Sequence, residues 1–383
     1  MRRIAIVTGT RADWGLLSPI ARELQRRPDT ALYIIATNMH LDPRYGNTID
    51  EITGDGFTID ERVAMEGVTG DDGAGKVAAM AACMSGMAGA FKRLCPDAVV
   101  ILGDRYEMLA TASAALMMRI PIIHIAGGAI SEGAVDDSIR HAITKMAWLH
   151  LVETEEYRRR VIQMGEQPGL VVNTGAIGVY NIMHQRLMSR EELSRSIGHD
   201  ITPDTLLVTY HAATLDKGDT DARARELFRA LDRFPDNPLL ITYPNNDAGG
   251  RVIIDHIERY AALHPGRVTV VPSLGMRRYL SALRCVAAVV GNSSSGIVEV
   301  PSMGIPTVDI GMRQQGRMAS ASVIHTTDDA PSIAAGIARA LSPQGRETAA
   351  TTVNPYYRPD TLRLMVDAIT STPLSTQKKF HNL

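Results

Sequence analysis

Residues 103–145 read GDRYEMLATASAALMMRIPIIHIAGGAISEGAVDDSIRHAITK, and this stretch decides the fold. It follows an apolar run at 98–102 that is short and β-branched enough to be a buried parallel strand. Asp104 and Arg105 then lie at the carboxyl tip of that strand. Because open α/β sheets bind their ligands at such tips, this pair is expected in a binding site.

The same stretch contains the end of a second predicted strand and the start of a predicted helix. A second apolar run at 121–125 leads into a pair of glycines at 127–128, and a charged cluster at 136–141 begins a helix. Acids, bases and glycines therefore follow one another at successive ends of predicted elements. We expect these ends to converge on one ligand site.

The composition is that of an ordinary globular protein. Its 383 residues are 45% hydrophobic and 21% charged, which suggests two domains of usual size. The net charge of −2 gives no attraction for nucleic acid or an anionic membrane, so neither is expected as a partner. No run approaches the roughly 18 apolar residues of a membrane span, and no signal peptide is recognised. Three scattered cysteines fit free thiols in a reducing compartment, so we expect a cytoplasmic protein.

Strand patterns alternate with helix patterns along both halves of the chain. This alternation predicts an α/β protein with two doubly wound parallel sheets. The N-terminal domain is predicted at 1–175 and the C-terminal domain at 176–358, with a hinge between 173 and 203. Residues 359–383 are predicted to form a final helix that packs back on the N-terminal domain, followed by a polar tail.

Three local features are also predicted from the pattern. A short strand is expected near 57–59, one long helix over 177–196, and a frayed end over 375–383 because its residues are polar.

The motif GNSSSG at 291–296 lies between a strand pattern and a helix pattern. A turn of small residues at a helix start presents backbone N–H groups and the positive end of the helix dipole, and Ser293 and Ser294 add hydroxyl donors. Ordinary N-capping by serine is the alternative, but three consecutive serines exceed what a cap needs. We therefore favour a diphosphate site, with Glu299 in reach of ribose hydroxyls and Arg313 facing the same turn.

Two further polar residues follow strand patterns. Arg11 comes after a tight turn behind the first strand, and His211 ends the strand over 206–210. Arginine suits bidentate contact with phosphate, and histidine donates to a phosphate or stabilises a leaving group. The alternatives are a surface arginine that caps a loop and a structural histidine bonded to the backbone.

The acids of the opening stretch supply the candidate chemistry. Asp104 and Arg105 form a carboxylate with its counter-ion at one strand tip. Two further pairs, each four residues apart, share a helix face: Asp136 with Arg140 and Asp137 with His141. The alternatives are a structural ion pair and acids that merely favour the helix dipole.

The sequence gives no sign of a cofactor. No spacing of His, Cys and Glu calls for a metal, and neither a dinucleotide fingerprint, a P-loop nor a nucleophile elbow occurs. We therefore expect no metal and no cofactor. Carboxylates and histidine must act as the acids and bases.

Eight short motifs carry a resemblance to a known family. They are GTRAD (9–13), GDRYE (103–107), EGAVDDSIRHAITK (132–145), VTYH (208–211), TYPN (242–245), SLG (273–275), GNSSSG (291–296) and GMRQQGR (311–317). With these motifs the chain resembles the UDP-N-acetylglucosamine 2-epimerases. It is more similar to the hydrolysing branch that feeds sialic and legionaminic acid synthesis.

The resemblance implies a GT-B-like fold of two Rossmann-like domains with a nucleotide-sugar cleft between them, and a homodimer. The implied reaction eliminates UDP across C1 and C2 to give a 2-acetamidoglucal, which then adds water and leaves a free sugar inverted at C2. UDP-N-acetylglucosamine would give N-acetylmannosamine and UDP. The implied catalytic residues are Asp104, Asp136, Asp137 and His211. The implied substrate and nucleotide contacts are Arg11, Asp13, Arg105, Asn245, Ser293, Ser294, Glu299 and Arg313.

The sequence departs from the family pattern at Ala126 and Ala129, and Met312 also replaces a usual polar residue. Relatives usually carry polar residues where this chain has Ala126 and Ala129, and position 126 is a catalytic carboxylate in some of them. Glu132 or His141 is a candidate replacement. A less polar pocket would also suit UDP- or GDP-linked N,N′-diacetylbacillosamine, the substrate of the legionaminic branch.

Two other functions remain open at this stage. A GT-B glycosyltransferase would keep the nucleotide site but need an acceptor. A catalytically impaired nucleotide-sugar-binding protein would explain the two alanines.

Overall fold

The computed structural model of the protein describes residues 1–42, 48–65, 73–131, 135–212, 219–244 and 249–383. Two compact units follow from the contacts between residues. Unit 1 consists of Met1–Ala129, Asp136–Tyr180 and Arg358–Leu383, and unit 2 consists of Ile130–Val135 and Asn181–Tyr357. Each unit is built around one parallel sheet, so the predicted architecture of two doubly wound sheets is confirmed.

The sheet of unit 1 has seven parallel strands in the order β3-β2-β1-β4-β5-β6-β7. They are β1 (Arg2–Thr8), β2 (Thr30–Thr37), β3 (Glu61–Val63), β4 (Ala98–Leu102), β5 (Ile122–Ile125), β6 (Leu149–Val152) and β7 (Val171–Asn173). Every residue of β4 is buried, as expected of a parallel strand with helices on both faces. The strand order reverses between β1 and β4, which pair with Ile4 opposite Ala98. Ligands bind at such switch points, so the tips of β1 and β4 define the candidate site of this unit.

The helices of the first part of the chain cover the two faces of this sheet. They are α1 (Arg11–Arg26), α2 (Ile49–Gly54), α3 (Gly73–Leu94), α4 (Tyr106–Met117), α5 (Val135–Met146) and α6 (Glu155–Gln163). Helix α7 (Ile177–His184) begins in unit 1 and ends in unit 2. The start of α1 is fixed by Thr10, whose hydroxyl accepts from the N–H of Asp13. The apolar face of α1 then packs into the core through Trp14, Leu17 and Leu24. The turn between β1 and α1 is thereby held at the sheet edge.

Helix α3 departs from one expectation. It spans 22 residues and is long and apolar enough to cross a membrane by length and composition, so the prediction that no run reaches that length was wrong. Its alanines, glycines and methionines also permit close packing. Cys83, Met87 and Phe91 are buried in the core of unit 1, and the helix packs against α4. Core helices of globular proteins can have the same length and apolar composition.

The sheet of unit 2 has six parallel strands in the order β10-β9-β8-β11-β12-β13. They are β8 (Leu206–Thr209), β9 (Leu239–Thr242), β10 (Val268–Val270), β11 (Ala288–Gly291), β12 (Thr307–Ile310) and β13 (Val323–Thr326). The order reverses between β8 and β11, where Gly291 lies opposite Thr209. The helices are α8 (Arg190–Ile197), α9 (Thr220–Leu231), α10 (Gly250–Leu263), α11 (Gly275–Leu283), α12 (Ser295–Val298), α13 (Ala330–Leu341) and α14 (Pro343–Thr351). The tips of β8 and β11 define the candidate site of unit 2.

Several predicted elements were wrong in detail. The single helix over 177–196 is two helices, because Ser189 starts α8 with a capping box: its hydroxyl accepts from the N–H of Glu192, whose carboxylate accepts from the N–H of Ser189. The short strand expected near 57–59 is β3, a few residues later. Strand β13 and helices α13 and α14 had not been predicted.

The chain returns to unit 1 at its end. Helix α15 (Thr361–Ser371) packs against α1, and Met365 and Ile369 are buried in the core of unit 1. The indole N–H of Trp148 donates to the carbonyl of Pro373 at 2.9 Å. The prediction that residues 375–383 form a frayed tail was wrong, because this segment makes specific hydrogen bonds to unit 1.

Candidate functional site

The tip of β4 holds a carboxylate that is clamped by a buried arginine. Gly103 turns the chain in the left-handed region (φ +73°), and Asp104 follows it. Arg140 in α5 is 1% exposed, and its Nε donates to Asp104 Oδ2 at 2.7 Å. Its Nη1 donates to Asp137 Oδ1 at 3.1 Å and to the carbonyl of Ala129 at 2.8 Å. One guanidinium therefore fixes the strand tip to the first turns of α5.

The partners in this cluster differ from those predicted. The sequence paired Asp104 with Arg105, whereas Arg105 donates from Nε to Glu107 Oε1 at 2.7 Å. Arg105 directly precedes α4, and the buried carboxylate of Glu107 in the first turn of that helix is the partner it reaches. The predicted pair of Asp137 and His141 is found, at 3.4 Å between Oδ2 and Nε2.

The remaining acid of the predicted trio lies beside this clamp. Asp136 occupies the first turn of α5, and its charge acts on the buried guanidinium of Arg140. The two aspartates of this turn are partly buried, as is Asp104, and carboxylates are groups that can act as general acids or bases.

A second charged cluster lies behind the tip of β1. Glu107 is fully buried, and its Oε2 has no hydrogen-bond partner among the described residues. Gly9 is required beside it, because a Cβ there would come within 2.6 Å of Glu107 Oε1. Burial raises the pKa of Asp13 to about 6, opposed by the charge of Arg105 and reinforced by Glu107. Glu107 was known from the sequence only as part of a motif, since nothing local marks it as buried.

Arg11 and Asp13, both predicted as substrate contacts, each contact another group of the protein. Arg11 is the first residue of α1, and its Nη1 lies 3.5 Å from Glu51 Oε1. Asp13 Oδ2 accepts from the N–H of Gly9 at 3.3 Å. The carboxylate therefore closes the turn between β1 and α1, which is a structural role in addition to any contact with substrate.

The tip of β5 carries a neutral histidine and two methyl groups. His124 is buried, and burial lowers its pKa to about 4. Its Nε2 lies 2.9 Å from the carbonyl of Gly103, so this nitrogen carries the proton and donates. Ala126 adopts the left-handed region (φ +65°), and Ala129 is buried. Neither alanine supplies an acid or a base, and the candidate replacement Glu132 lies outside the described residues.

Unit 2 gathers its candidate residues around Asn292, which the sequence did not single out within its motif. The side-chain amide is 2% exposed and bonds the backbone of His211 twice, accepting from its N–H at 2.7 Å and donating to its carbonyl at 2.9 Å. The carbonyl of Asn292 accepts from Arg313 Nη1 at 3.0 Å and from Gln314 at 2.9 Å. Asn292 therefore joins the tips of β8 and β11 to the chain after β12.

The serine turn is present, but part of its predicted basis was wrong. Helix α12 comprises only four residues, followed by a separate 3-10 turn, so it lacks a macrodipole of the expected size. Ser293 and Ser294 are partly buried and bring hydroxyl and backbone donors to the tip of β11. Gly291 is required before them, because any Cβ would collide with the carbonyl of Thr209.

Glu299 lies at the end of a short relay behind this turn. The hydroxyl of Tyr279 donates to Ser295 Oγ at 2.7 Å, and Ser295 in turn bonds the carboxyl group of Glu299. Burial raises the pKa of Glu299, whereas its bond with Ser295 lowers it. The carboxyl group is thereby oriented, as an acceptor for hydroxyl groups requires.

His211 and Arg313 complete this set. Burial lowers the pKa of His211 to about 3, and the charge of Arg313 acts in the same direction. His211 is therefore a neutral donor or acceptor, and Arg313 carries the positive charge. Asn245, also predicted as a contact, lies outside the described residues. Hydroxyl, amide and guanidinium donors at one switch point form a surface suited to a diphosphate.

No group of three or more His, Cys, Asp or Glu side chains able to hold a metal ion occurs in the part of the chain that the structure describes. The two sites therefore comprise carboxylates clamped by arginine in unit 1 and hydrogen-bond donors in unit 2.

Comparison with known proteins shows the family to which the chain is similar. The family model "UDP-N-acetylglucosamine 2-epimerase" matches residues 22–370. The chain is 38% identical to the GDP/UDP-N,N′-diacetylbacillosamine 2-epimerase (hydrolyzing) of Campylobacter jejuni, covering 84% of each chain. It is 34% identical to polysialic acid biosynthesis protein P7 of Escherichia coli, covering 97% of this chain and 95% of that one. It is also 34% identical to the UDP-N,N′-diacetylbacillosamine 2-epimerase (hydrolyzing) of Legionella pneumophila, covering 89% of each.

Solved structures agree on the fold. A UDP-GlcNAc 2-epimerase from Neisseria meningitidis, solved with UDP-GlcNAc bound, superposes with a TM-score of 0.80 at 14% identity over 97% of this chain and all of that one. A protein from Listeria monocytogenes gives the same TM-score at 15% identity, over 97% and 96% of the two chains. The predicted GT-B-like class of fold is confirmed by this likeness.

Proposed function

The chain belongs to the UDP-N-acetylglucosamine 2-epimerase family, and on this basis we propose that it is a hydrolysing 2-epimerase of a UDP-linked 2-acetamido sugar. The observation that carries the proposal is the clamp of Arg140 on Asp104 and Asp137. It holds one carboxylate at the tip of β4 and another in the first turn of α5 in fixed positions, as proton transfer to and from carbon requires.

The proposed reaction has two steps. A carboxylate takes the proton from C2, the C–H electrons form the C1=C2 bond, and the C1–O bond breaks to release UDP. Water then adds its hydroxyl to C1 of the glycal, while a second acid protonates C2 on the opposite face. The proton that water gives up restores that acid, and the proton first taken from C2 leaves with UDP.

We assign the proton transfers to unit 1. Asp104 exchanges the proton on one face of C2, and Asp136 acts on the other with Asp137 beside it. The arginine clamp supports this assignment, because it binds both Asp104 and the side chain of Asp137 in the first turn of α5. His141 is the candidate helper, since its Nε2 lies 3.4 Å from Asp137.

We assign the nucleotide to unit 2. Ser293, Ser294 and Arg313 would bind the diphosphate, and Glu299 would accept from ribose hydroxyls. His211 stays neutral at pH 7, because its pKa is lowered to about 3, so it would donate a hydrogen bond to departing UDP without carrying a positive charge.

The sugar we favour is N,N′-diacetylbacillosamine, with N-acetylglucosamine as the alternative. Two relatives, at 38% and 34% identity, are named for the former. The methyl groups at 126 and 129 agree with a pocket that faces an apolar 6-methyl and a second acetamido group. UDP-N-acetylglucosamine remains the alternative, because a relative from Neisseria meningitidis at 32% identity is named for that sugar.

The test incubates the protein with each UDP-sugar in D2O and follows UDP and the free sugar. Release of UDP with a C2-inverted sugar that carries one deuterium at C2 supports the proposal. A glycosyltransferase would release free sugar without deuterium at C2 or would need an acceptor. Binding without turnover, together with activity gained by Ala126→Glu, would support the impaired binding protein instead.

Assembly and location complete the proposal. We propose a cytoplasmic homodimer without metal or cofactor. Light scattering of the purified protein across a concentration series tests the dimer, and a monomer at all concentrations would contradict it.

A further inference from the structure

The C-terminal tail of unit 1 contacts the helix that carries the candidate acids. Lys378 reaches the C-terminal end of α5, where its Nζ donates to the carbonyls of Ala147 at 2.6 Å and Lys145 at 2.8 Å. A helix leaves its last carbonyls without partners inside the helix, and a cation there is also favoured by the helix dipole. Lys378 thus supplies the cap for α5 from a segment more than 230 residues later in the chain.

A buried carboxylate fastens this lysine. Glu166 has a side chain that is 3% exposed, and it accepts from Lys378 and from Lys145, each at 2.6 Å. His150 Nε2 lies 3.0 Å from the same carboxylate. Burial acts to raise the pKa of Glu166, but its bonds to His150, Lys145 and Lys378 lower it to about 2. The carboxylate is therefore ionised at neutral pH and holds both lysines at the end of α5.

The end of the tail is attached at a further point. The ring of Phe380 packs on Gly165, where a Cβ would collide with it, and Lys145 Nζ lies 5.2 Å from the ring centre. The N–H of His381 donates to the carbonyl of Gly165 at 2.8 Å. A tail attached by a buried charge network and a ring contact is a built part of unit 1.

We propose that Lys378 is a positioning residue for catalysis, acting through α5. The inference rests on the proposed function. Asp136 and Asp137 occupy the first turn of the 12-residue helix whose end Lys378 caps, and Arg140 lies at its middle. A helix of this length spans about 18 Å and moves as a rigid rod, so a tilt at one end displaces the other. The tail thereby keeps α5 in the position from which Arg140 contacts Asp104.

The test compares Lys378→Met, which keeps the stem but removes the charge, with Lys378→Arg, which keeps the charge. Lys379→Met is the matched control on the neighbouring residue. We expect Lys378→Met to lower kcat about tenfold with KM and UDP affinity nearly unchanged, since a small displacement of catalytic groups slows the chemical step. Lys378→Arg should recover most of kcat, and Lys379→Met should resemble the wild type.

A second readout is independent of turnover. Hydrogen–deuterium exchange of the peptide that covers 135–146 should be faster in Lys378→Met than in Lys379→Met. Phe380→Ala provides a milder variant, because it loosens the tail without removing the ammonium group. A kcat equal to wild type in Lys378→Met, or a fall in thermal stability alone with unchanged kcat, overturns the inference.

Failure of the proposed function gives a different result. If the wild type releases no UDP from either sugar, the assigned reaction is wrong. Unchanged exchange over 135–146 in Lys378→Met then overturns the coupling of tail to helix as well, whereas faster exchange supports that coupling.

Discussion

Arg140 Nε lies 2.7 Å from Asp104 Oδ2, although the two residues are 36 positions apart in the chain. The contact joins the tip of β4 to helix α5 and removes a guanidinium almost wholly from solvent. An arginine at this depth is tolerated because two carboxylates and a backbone carbonyl bond its N–H groups. The same contacts hold Asp104 and Asp137, two of the three aspartates that we assign to catalysis.

Replacing the clamped carboxylate tests its role directly. Asp104→Asn keeps the shape and an acceptor for Arg140 but removes the base, so we expect kcat to fall about 10²- to 10⁴-fold with UDP affinity retained. The measurement is initial-rate kinetics beside calorimetric titration of UDP. Asp97→Asn is the control, because Asp97 pairs with Arg3 just before β4. A rate within about threefold of wild type would remove Asp104 from proton transfer.

Replacing the buried Arg140 tests how much its ion pairs contribute to the free energy of unfolding. Arg140→Met leaves Asp104 and Asp137 without their shared partner, and we expect about 3 kcal/mol less stability in urea unfolding. Arg140→Lys keeps a charge but loses the planar fork, so its loss should be smaller. Arg93→Met serves as a surface control, since Arg93 forms a pair with Glu61 and is 62% exposed. Equal losses for all three variants would contradict this account.

The contacts of Asn292 predict that its replacement weakens nucleotide binding alone. Asn292→Ala removes the two side-chain bonds to the backbone of His211, whereas the backbone pairing of β8 with β11 stays in place. We expect the Kd for UDP to rise about tenfold, as the loss of a buried hydrogen bond of about 1.4 kcal/mol implies. Asn237→Ala is the control, because its amide bonds only the exposed carbonyl of Asp204. Unchanged UDP affinity in calorimetry would show that the contacts of Asn292 do not support nucleotide binding.

Asp13 predicts a dependence of stability on pH. Its pKa rises from 3.8 to about 6 on folding, so its favourable contribution is complete below pH 3.8 and is lost as pH rises through 6. Asp13→Asn should therefore gain stability over the wild type between pH 4 and 6, by on the order of 1 to 3 kcal/mol, and the gain should be constant above pH 7. Urea unfolding at several pH values measures it, and a gain that is equal at pH 4 and pH 7 would rule out the raised pKa.

Glu166 predicts the opposite dependence. Its pKa falls from 4.5 to about 2 on folding, so its stabilisation is complete above pH 4.5 and is lost as pH falls through 2. Glu166→Gln should be less stable than the wild type by about 3 kcal/mol at pH 7, and the difference should narrow between pH 4.5 and 2. Glu155→Gln is the control, because its carboxylate is 57% exposed. A constant difference across this range would show that the charge of Glu166 does not stabilise the fold.

Part of the site was visible in local sequence. The apolar run 98–102 followed by a glycine correctly put Asp104 at a strand tip, and the four-residue spacing correctly paired Asp137 with His141. The partner of Asp104 was missed because Arg140 lies 36 residues away in α5, and the fold decides which distant side chain reaches the tip of β4. Sequence spacing carries no such information across elements that are distant in the chain.

The sequence by itself determined the two parallel sheets, because buried strands need uninterrupted apolar runs and crossover helices need an apolar face at a period of 3.6 residues. It also determined which residue types stand at the strand tips. Only the tertiary structure decided that Arg140 bonds Asp104, that Asn292 joins two strand tips, and that Lys378 caps α5. Each of these contacts links distant segments and is held by burial, which strengthens a hydrogen bond or ion pair only after the chain has brought its partners together.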